Sequence, residues 1–353
     1  MLRDALLKTA KELHPGYFAL VMATGIVSIA SSLLGVMPVA WVLFVINLAA
    51  YAVLWLLTGV RLARFFPNLL ADLSSHSRGP GFLSTVAATC TVGSQFVLLA
   101  HSARAGLALW LLGGALWLLL TYAFLVAVFV DRIKPNLEEG LNGAWLIAVV
   151  ATQSVAILGL QVAGQSAGRA PGLIFLSLAL FLLGSALYLL LISLIFYRLA
   201  FFPLTPREFT PPYWINMGAI AITTLSGATL IQNAARWPFL QRILPFLDGY
   251  TLLFWVLCTW WIPLLVALEA WRHLWRGYPV RYGPDYWDIA FPLGMYATCT
   301  FQMHAATGLP YLSTLSRVFA CIALLVWALV FSGLLHRLWL GCRVARRRWP
   351  AGG

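Results

Sequence analysis

Charge is scarce in this sequence. Only 10% of its 353 residues are Asp, Glu, Lys or Arg, where a soluble domain carries about a quarter. With 61% apolar residues and a mean hydropathy of +0.87, that shortage excludes a soluble globular protein. Metal-ligand spacing is lacking too. Cys90, Cys258, Cys299, Cys321 and Cys342 fall singly in or beside apolar segments, and read as buried thiols outside any disulfide framework. His76, His101, His273 and His336 show no i, i+4 pairing, and no nucleophile elbow or Cys–His pair can be placed. A membrane-embedded enzyme is therefore a remote alternative with no catalytic residue to name, no metal and no cofactor; a sensor is equally remote, for want of a long loop. The net charge of +12 is spread in ones and threes between apolar runs, which makes no nucleic-acid face. The N-terminus lacks a short apolar core followed by a small-residue cleavage site, so it is not a secretory signal.

What the sequence has in quantity is apolar stretches of roughly 20 residues, the length at which a helix crosses a bilayer. Ten are expected, at 15–34, 39–60, 80–100, 105–130, 142–163, 172–197, 212–232, 249–270, 285–306 and 311–335. The expected fold is an all-α membrane protein. Residues 1–13 form an amphipathic surface segment, 14–340 the ten-helix domain and 341–353 a basic tail. Lys and Arg number 18 on the side of the termini and 5 on the other. Since basic loops stay cytoplasmic, both termini are expected inside a multi-pass plasma (inner) membrane protein surrounded by lipid.

The spans alternate in character. Residues 107–124 and 173–190 hold eight and nine Leu, against two in 16–33 and three in 82–99. Odd spans are rich in Gly, Ser, Thr and Gln, which suits close helix packing or a polar path; even spans suit lipid. The odd spans also open alike, at Pro15-Gly-Tyr-Phe18, Pro80-Gly-Phe-Leu83, Asn142-Gly-Ala-Trp145, Pro212-Tyr-Trp214 and Pro284-Asp-Tyr-Trp287. Five hairpins repeating in parallel about an axis along the membrane normal predict an inner ring of odd helices within an outer ring of even ones.

The stretch His14-Pro-Gly-Tyr-Phe-Ala-Leu-Val-Met-Ala-Thr-Gly-Ile26, the Pro80-Gly-Phe-Leu83 opening and Tyr286-Trp-Asp-Ile-Ala-Phe-Pro-Leu-Gly-Met-Tyr296 resemble the tellurite-resistance/dicarboxylate transporter family. That family includes malic-acid permeases, sulfite efflux pumps and plant slow anion channels. The resemblance runs from about residue 14 to residue 335. It implies a central anion path in each protomer of a homotrimer, and a plug at Phe291, followed by Pro292. A phosphorylation-controlled tail like that of the plant channels is not expected.

From the residues themselves, hydroxyls and small groups on the odd spans are the candidate lining: Thr24, Gly25 and Ser28; Thr89, Thr91 and Ser94; Thr152 and Gln153; Thr223 and Thr224; Gly294 and Thr298. Aligning the odd spans on their entry residues sets Met22, Ala87, Val149 and Gly218 level with Phe291. Such a path offers weak neutral sites from which a small anion can leave, and malate, succinate, sulfite, nitrate and chloride all suit it. A proton-coupled C4-dicarboxylate carrier is the alternative, and its candidate proton site is His14 with Asp285 and Asp288.

Overall fold

The structure, a computed structural model, describes residues 2–165 and 170–347; the end of the expected basic tail, 348–353, lies outside them. The described residues are helical with turns and no strand. After the surface helix α1 (Leu2–Lys11) come five hairpins: α2 (Ala19–Leu33) with α3 (Met37–Arg64), α5 (Ser84–Leu98) with α6 (Ala103–Val130), and α8 (Ile147–Gln165) with α9 (Pro171–Phe201), then α10 (Ile215–Gln232) with α12 (Leu244–Ala270), and α13 (Trp287–Thr307) with α14 (Tyr311–Arg347). Short helices α4 (Phe66–Leu73), α7 (Leu137–Gly140) and α11 (Pro238–Arg242) lie in connections. Helix α14 runs unbroken through residue 341, so the expected tail does not begin at a structural boundary there.

Among the described residues, nine helices are long and apolar enough to cross a membrane. The expected span 285–306 departs from that count. Helix α13 has 21 residues, but Asp288, Pro292, Gln302 and His304 lower its hydropathy, and it survives as a helix because it is packed on every side. The cysteines also need one correction: Cys90, Cys258 and Cys299 are buried, whereas Cys321 is exposed on α14.

Helices α2, α5, α8, α10 and α13 form a closed ring, each packed on the next and α13 returning to α2. Their small residues permit this, because backbones approach closely where side chains are short. Four of these inner spans are 78 to 94% buried, against 17 to 39% for the spans of α3, α6, α9, α12 and α14. The outer helices leave Leu111, Leu119, Leu190, Val256 and Leu329 exposed, as a surface solvated by acyl chains requires.

Each outer helix packs against its hairpin partner and leans on the following inner helix, where an aromatic polar group bonds it. Tyr51 pairs with the Thr89 hydroxyl at 2.9 Å, the Trp117 indole donates to Thr152 at 2.9 Å, and the Tyr188 hydroxyl donates to the Asn216 carbonyl at 3.1 Å. The Trp255 indole donates to Thr300 at 3.1 Å, and the Trp327 indole donates to Thr24 at 2.9 Å, closing the circle. These bonds recur because an indole N–H or phenol in an apolar shell needs a partner. Buried arginines tie three hairpins at the other end: Arg61 donates to the Leu13 carbonyl at 2.7 Å, Arg198 to Glu138 at 3.2 Å and Arg272 to Pro206 at 2.9 Å. In each case the acceptor precedes the inner helix of the same hairpin.

Candidate functional site

The inner helices all begin with a 3-10 turn: Pro15–Phe18, Gly79–Leu83, Gly143–Leu146, Pro211–Trp214 and Pro284–Tyr286. Proline, with its fixed φ and no N–H, starts four of them. The third is started instead by Asn142, whose side chain accepts from the Ala144 N–H at 2.9 Å. The five turns touch in a closed circle. At two seams the backbones themselves meet: a Cβ at Gly81 would lie 2.9 Å from the Gly16 nitrogen, and one at Gly143 would overlap the Pro212 carbonyl. Only glycine allows that approach. At this entry end of the ring, neighbouring turns therefore meet main chain to main chain.

At the far end the same helices part around a cavity of about 200 Å³, to which all five contribute. Its deepest lining residues are Ile26, Cys90, Ser154, Ile222 and Met295, and its outer ones include Gln161, Gln232, Asn233 and Gln302. No charged side chain among the described residues lines it. The cavity stops one helical turn, about 6 Å, short of the level set by Met22, Ala87, Val149, Gly218 and Phe291, all of them buried. Phe291 is only 2% exposed, and the next residue, Pro292, lies against Gly218 of the adjacent inner helix.

Of the lining candidates, Thr91, Ser94 and Thr298 border this cavity. The others stand elsewhere on the inner helices. Thr24, Thr89 and Thr152 face the outer helices that bond them. Ser28 donates to the Ala40 carbonyl of α3 and Gln153 to the Phe181 carbonyl of α9. Thr223 and Thr224 donate to their own helix, Gly25 backs onto Thr91 and Asn47, and Gly294 onto Ile26 and Val27. Sequence reasoning missed Gln161, Gln232, Asn233, Gln302, Ser154 and Thr229. A signal was there: Gln95, Gln161, Gln232 and Gln302 recur in the last turns of four odd spans.

The proposed proton partners are not joined. The His14 Nδ1 accepts from the Gly16 N–H at 3.1 Å, and the charges around it are Arg78, Asp72 and Arg61. Burial first, and then Arg78, push the His14 pKa down. Asp288 is buried beside Asp285 in the first turns of the α13 arm, and neither aspartate forms an ion pair among the described residues.

A family model described as a voltage-dependent anion channel, SLAC1, matches residues 12–335. An uncharacterised membrane protein of Mycobacterium tuberculosis is 38% identical over 152 residues, 43% of this chain and 77% of that protein. An uncharacterised transporter of Methanocaldococcus jannaschii is 26% identical over 308 residues, 85% of this chain and 86% of its own. The sulfite efflux pump SSU1 of Trichophyton rubrum is 25% identical over 340 residues, covering 90% of this chain and 89% of the pump. Channel, transporter and pump are the activities these names carry, and none of them is an enzyme's.

Proposed function

The chain belongs to the SLAC1 family of voltage-dependent anion channels, and from that premise we propose that it passes small anions along the axis of its five-helix ring, with Phe291 as the obstruction. One observation carries this reading: the cavity built by all five inner helices ends a single turn short of the Phe291 level. A path lined by neutral groups binds anions weakly enough to release them. A ring of apolar side chains around Phe291 stops ions by excluding water. The cavity is small, and among the described residues it has no fixed positive charge to pair with two carboxylates, which favours a compact inorganic anion over a C4-dicarboxylate. Sulfite is the first to try, given the relative named as a sulfite efflux pump.

The orientation follows from the 18 to 5 division of basic residues: entry turns and termini cytoplasmic, cavity facing outward. The protein assembles as a homotrimer in the plasma membrane, each protomer with its own path. Reconstitution into liposomes with sulfite, nitrate, chloride and malate tests the activity. Phe291→Ala raises flux severalfold, whereas Phe331→Ala on outer helix α14 leaves it unchanged. Equal flux in the two well-folded variants removes Phe291 from the path. Orientation is tested separately: a cysteine beside Arg236 reacts with an impermeant thiol reagent added outside, and one beside Lys134 does not.

A further inference from the structure

The polar groups of the far-end cavity differ in what they can still offer an anion. Four hydroxyls have spent their only proton on the carbonyl one turn back: Thr91 on Ala87 at 2.8 Å, Ser154 on Val150 at 2.8 Å, Thr298 on Gly294 at 2.9 Å and Thr229 on Leu225 at 2.7 Å. A hydroxyl has one donor and two lone pairs, so these present acceptors only. Ser94 is the exception, 6% exposed and with no hydrogen-bond partner among the described residues.

The amides are in the opposite state. Gln302 uses its oxygen to accept from the Gln232 Nε2 at 2.6 Å, which leaves both of its own N–H protons unused. Gln232 keeps one proton, and Asn233 keeps one after donating to the Thr229 carbonyl at 2.8 Å. Gln161 lines the same mouth; its amide nitrogen donates no hydrogen bond among the described residues, and its buried amide oxygen is likewise unpartnered there. Counted along the helices from the Phe291 level, Thr91 and Ser154 lie four to five residues out, Ser94 and Thr298 seven, Thr229 eleven and the three glutamines eleven to fourteen. At 1.5 Å per residue, a collar of amide donors, with Thr229 its one back-bonded hydroxyl, stands about 10 Å outside an acceptor shelf.

We infer that this cavity selects an anion that carries its own O–H, a monoprotonated oxyanion of the hydrogensulfite type. The inference rests on the transport reading above and names its substrate class. In the collar the anion's bare oxygens accept from Gln302, Gln232, Asn233 and Gln161. On the shelf a halide or a fully deprotonated oxyanion meets the lone pairs of Thr91, Ser154 and Thr298, with Ser94 as its one hydroxyl donor among the described residues and the weak Cys90 S–H beside it. Lone pairs facing an anion are repulsive, and a buried acceptor without a donor carries a desolvation cost. A monoprotonated oxyanion turns its O–H to a shelf oxygen and accepts from Ser94, so both sides are satisfied. Discrimination by an O–H that a site is built to pair is large for the same reason.

The test uses the full chain in liposomes, in the Phe291→Ala background, with sulfite and chloride as probes and protein-free vesicles as the blank. The sulfite-to-chloride flux ratio rises severalfold as the medium goes from mildly alkaline to mildly acid, as sulfite becomes hydrogensulfite. The titratable groups at this end are His101, Asp248 and His304, beside Arg104, Arg236, Arg242 and Arg317; their charge acts more strongly on a dianion than on chloride, and the valine variant, which keeps them all, separates that contribution from the shelf. Thr91→Val with Thr298→Val removes two shelf acceptors. It lowers the acid-side ratio about tenfold, the worth of one hydrogen bond of ordinary strength, and flattens its pH dependence while chloride still passes. A ratio that is flat with pH in the Phe291→Ala protein overturns the inference. So does a ratio that keeps its pH dependence in the valine variant, since a preference for lower charge alone would survive there. If neither anion passes Phe291→Ala, the transport reading itself falls, and the inference with it.

Discussion

At the entry end of the ring, five 3-10 turns meet backbone to backbone at Gly81 against Gly16 and Gly143 against Pro212. At the far end the same five helices part around a cavity lined by Ser94, Gln161, Gln302 and their neighbours. The difference lies in what neighbouring helices present to one another. Main chain at the entry seams cannot be displaced without unseating the proline starts and the buried arginines that hold the preceding loops, whereas the far end is lined by side chains that leave room. In the proposed reading, opening such a ring is cheapest where a side chain is the obstruction, at the Phe291 level between the two.

The contrast breaks most visibly at the arginines. Arg61→Met strips the donor from the Leu13 carbonyl and from Asp72, and is expected to destabilise by about 3 kcal/mol, the order of a broken buried pair. Thermal unfolding in detergent reads it. Next comes the same substitution at the two ends. Gly143→Ala forces a Cβ onto the Pro212 carbonyl and costs about 1–3 kcal/mol, as overpacking does. Gly164→Ala, at the cavity rim with its nearest neighbour atom at 3.8 Å, leaves the melting temperature unchanged. Equal costs at the two positions would remove the distinction.

Smaller again is the loss of an outer-to-inner bond. Trp327→Phe leaves the Thr24 hydroxyl without its indole and costs about 1 kcal/mol; pairing it with Thr24→Val should add little further, which a double-mutant cycle measures. The smallest effect is that of pH on the entry end. The His14 pKa is lowered in the folded protein, so the unfolded chain binds the proton more readily, and stability rises with pH. The contribution is full above the ordinary value of 6.5 and is lost as pH falls below it. His14→Asn should flatten the stability profile there.

Much of the architecture was legible in the sequence because it rests on composition. Leucine-rich and small-residue spans alternate, and the entries, each beginning with Pro or Asn and carrying an aromatic, repeat, so hairpins and inner helices could be assigned by counting. Helix azimuth could not. An inner span such as Pro211–Gln232 is 94% buried, and a helix apolar or small all round shows no stripe to mark the axis. Thr24, Thr89 and Thr152 therefore read as lining when their hydroxyls face outer-helix aromatics. The glutamines were passed over for a related reason: near helix ends they look like ordinary interfacial residues, and only the ring brings Gln161, Gln232 and Gln302 to one mouth. The weak apolarity of α13 was hidden by its repeat position.

The most direct test of the path is chemical block from the far end. In a Phe291→Ala protein that also carries Cys90→Ala and Ser94→Cys, a bulky impermeant thiol reagent added on the cavity side should abolish the raised anion flux, and reduction should restore it. Flux that continues unchanged after stoichiometric labelling of residue 94 would mean that the anions pass elsewhere, and would contradict the assignment of the five-helix axis as their route.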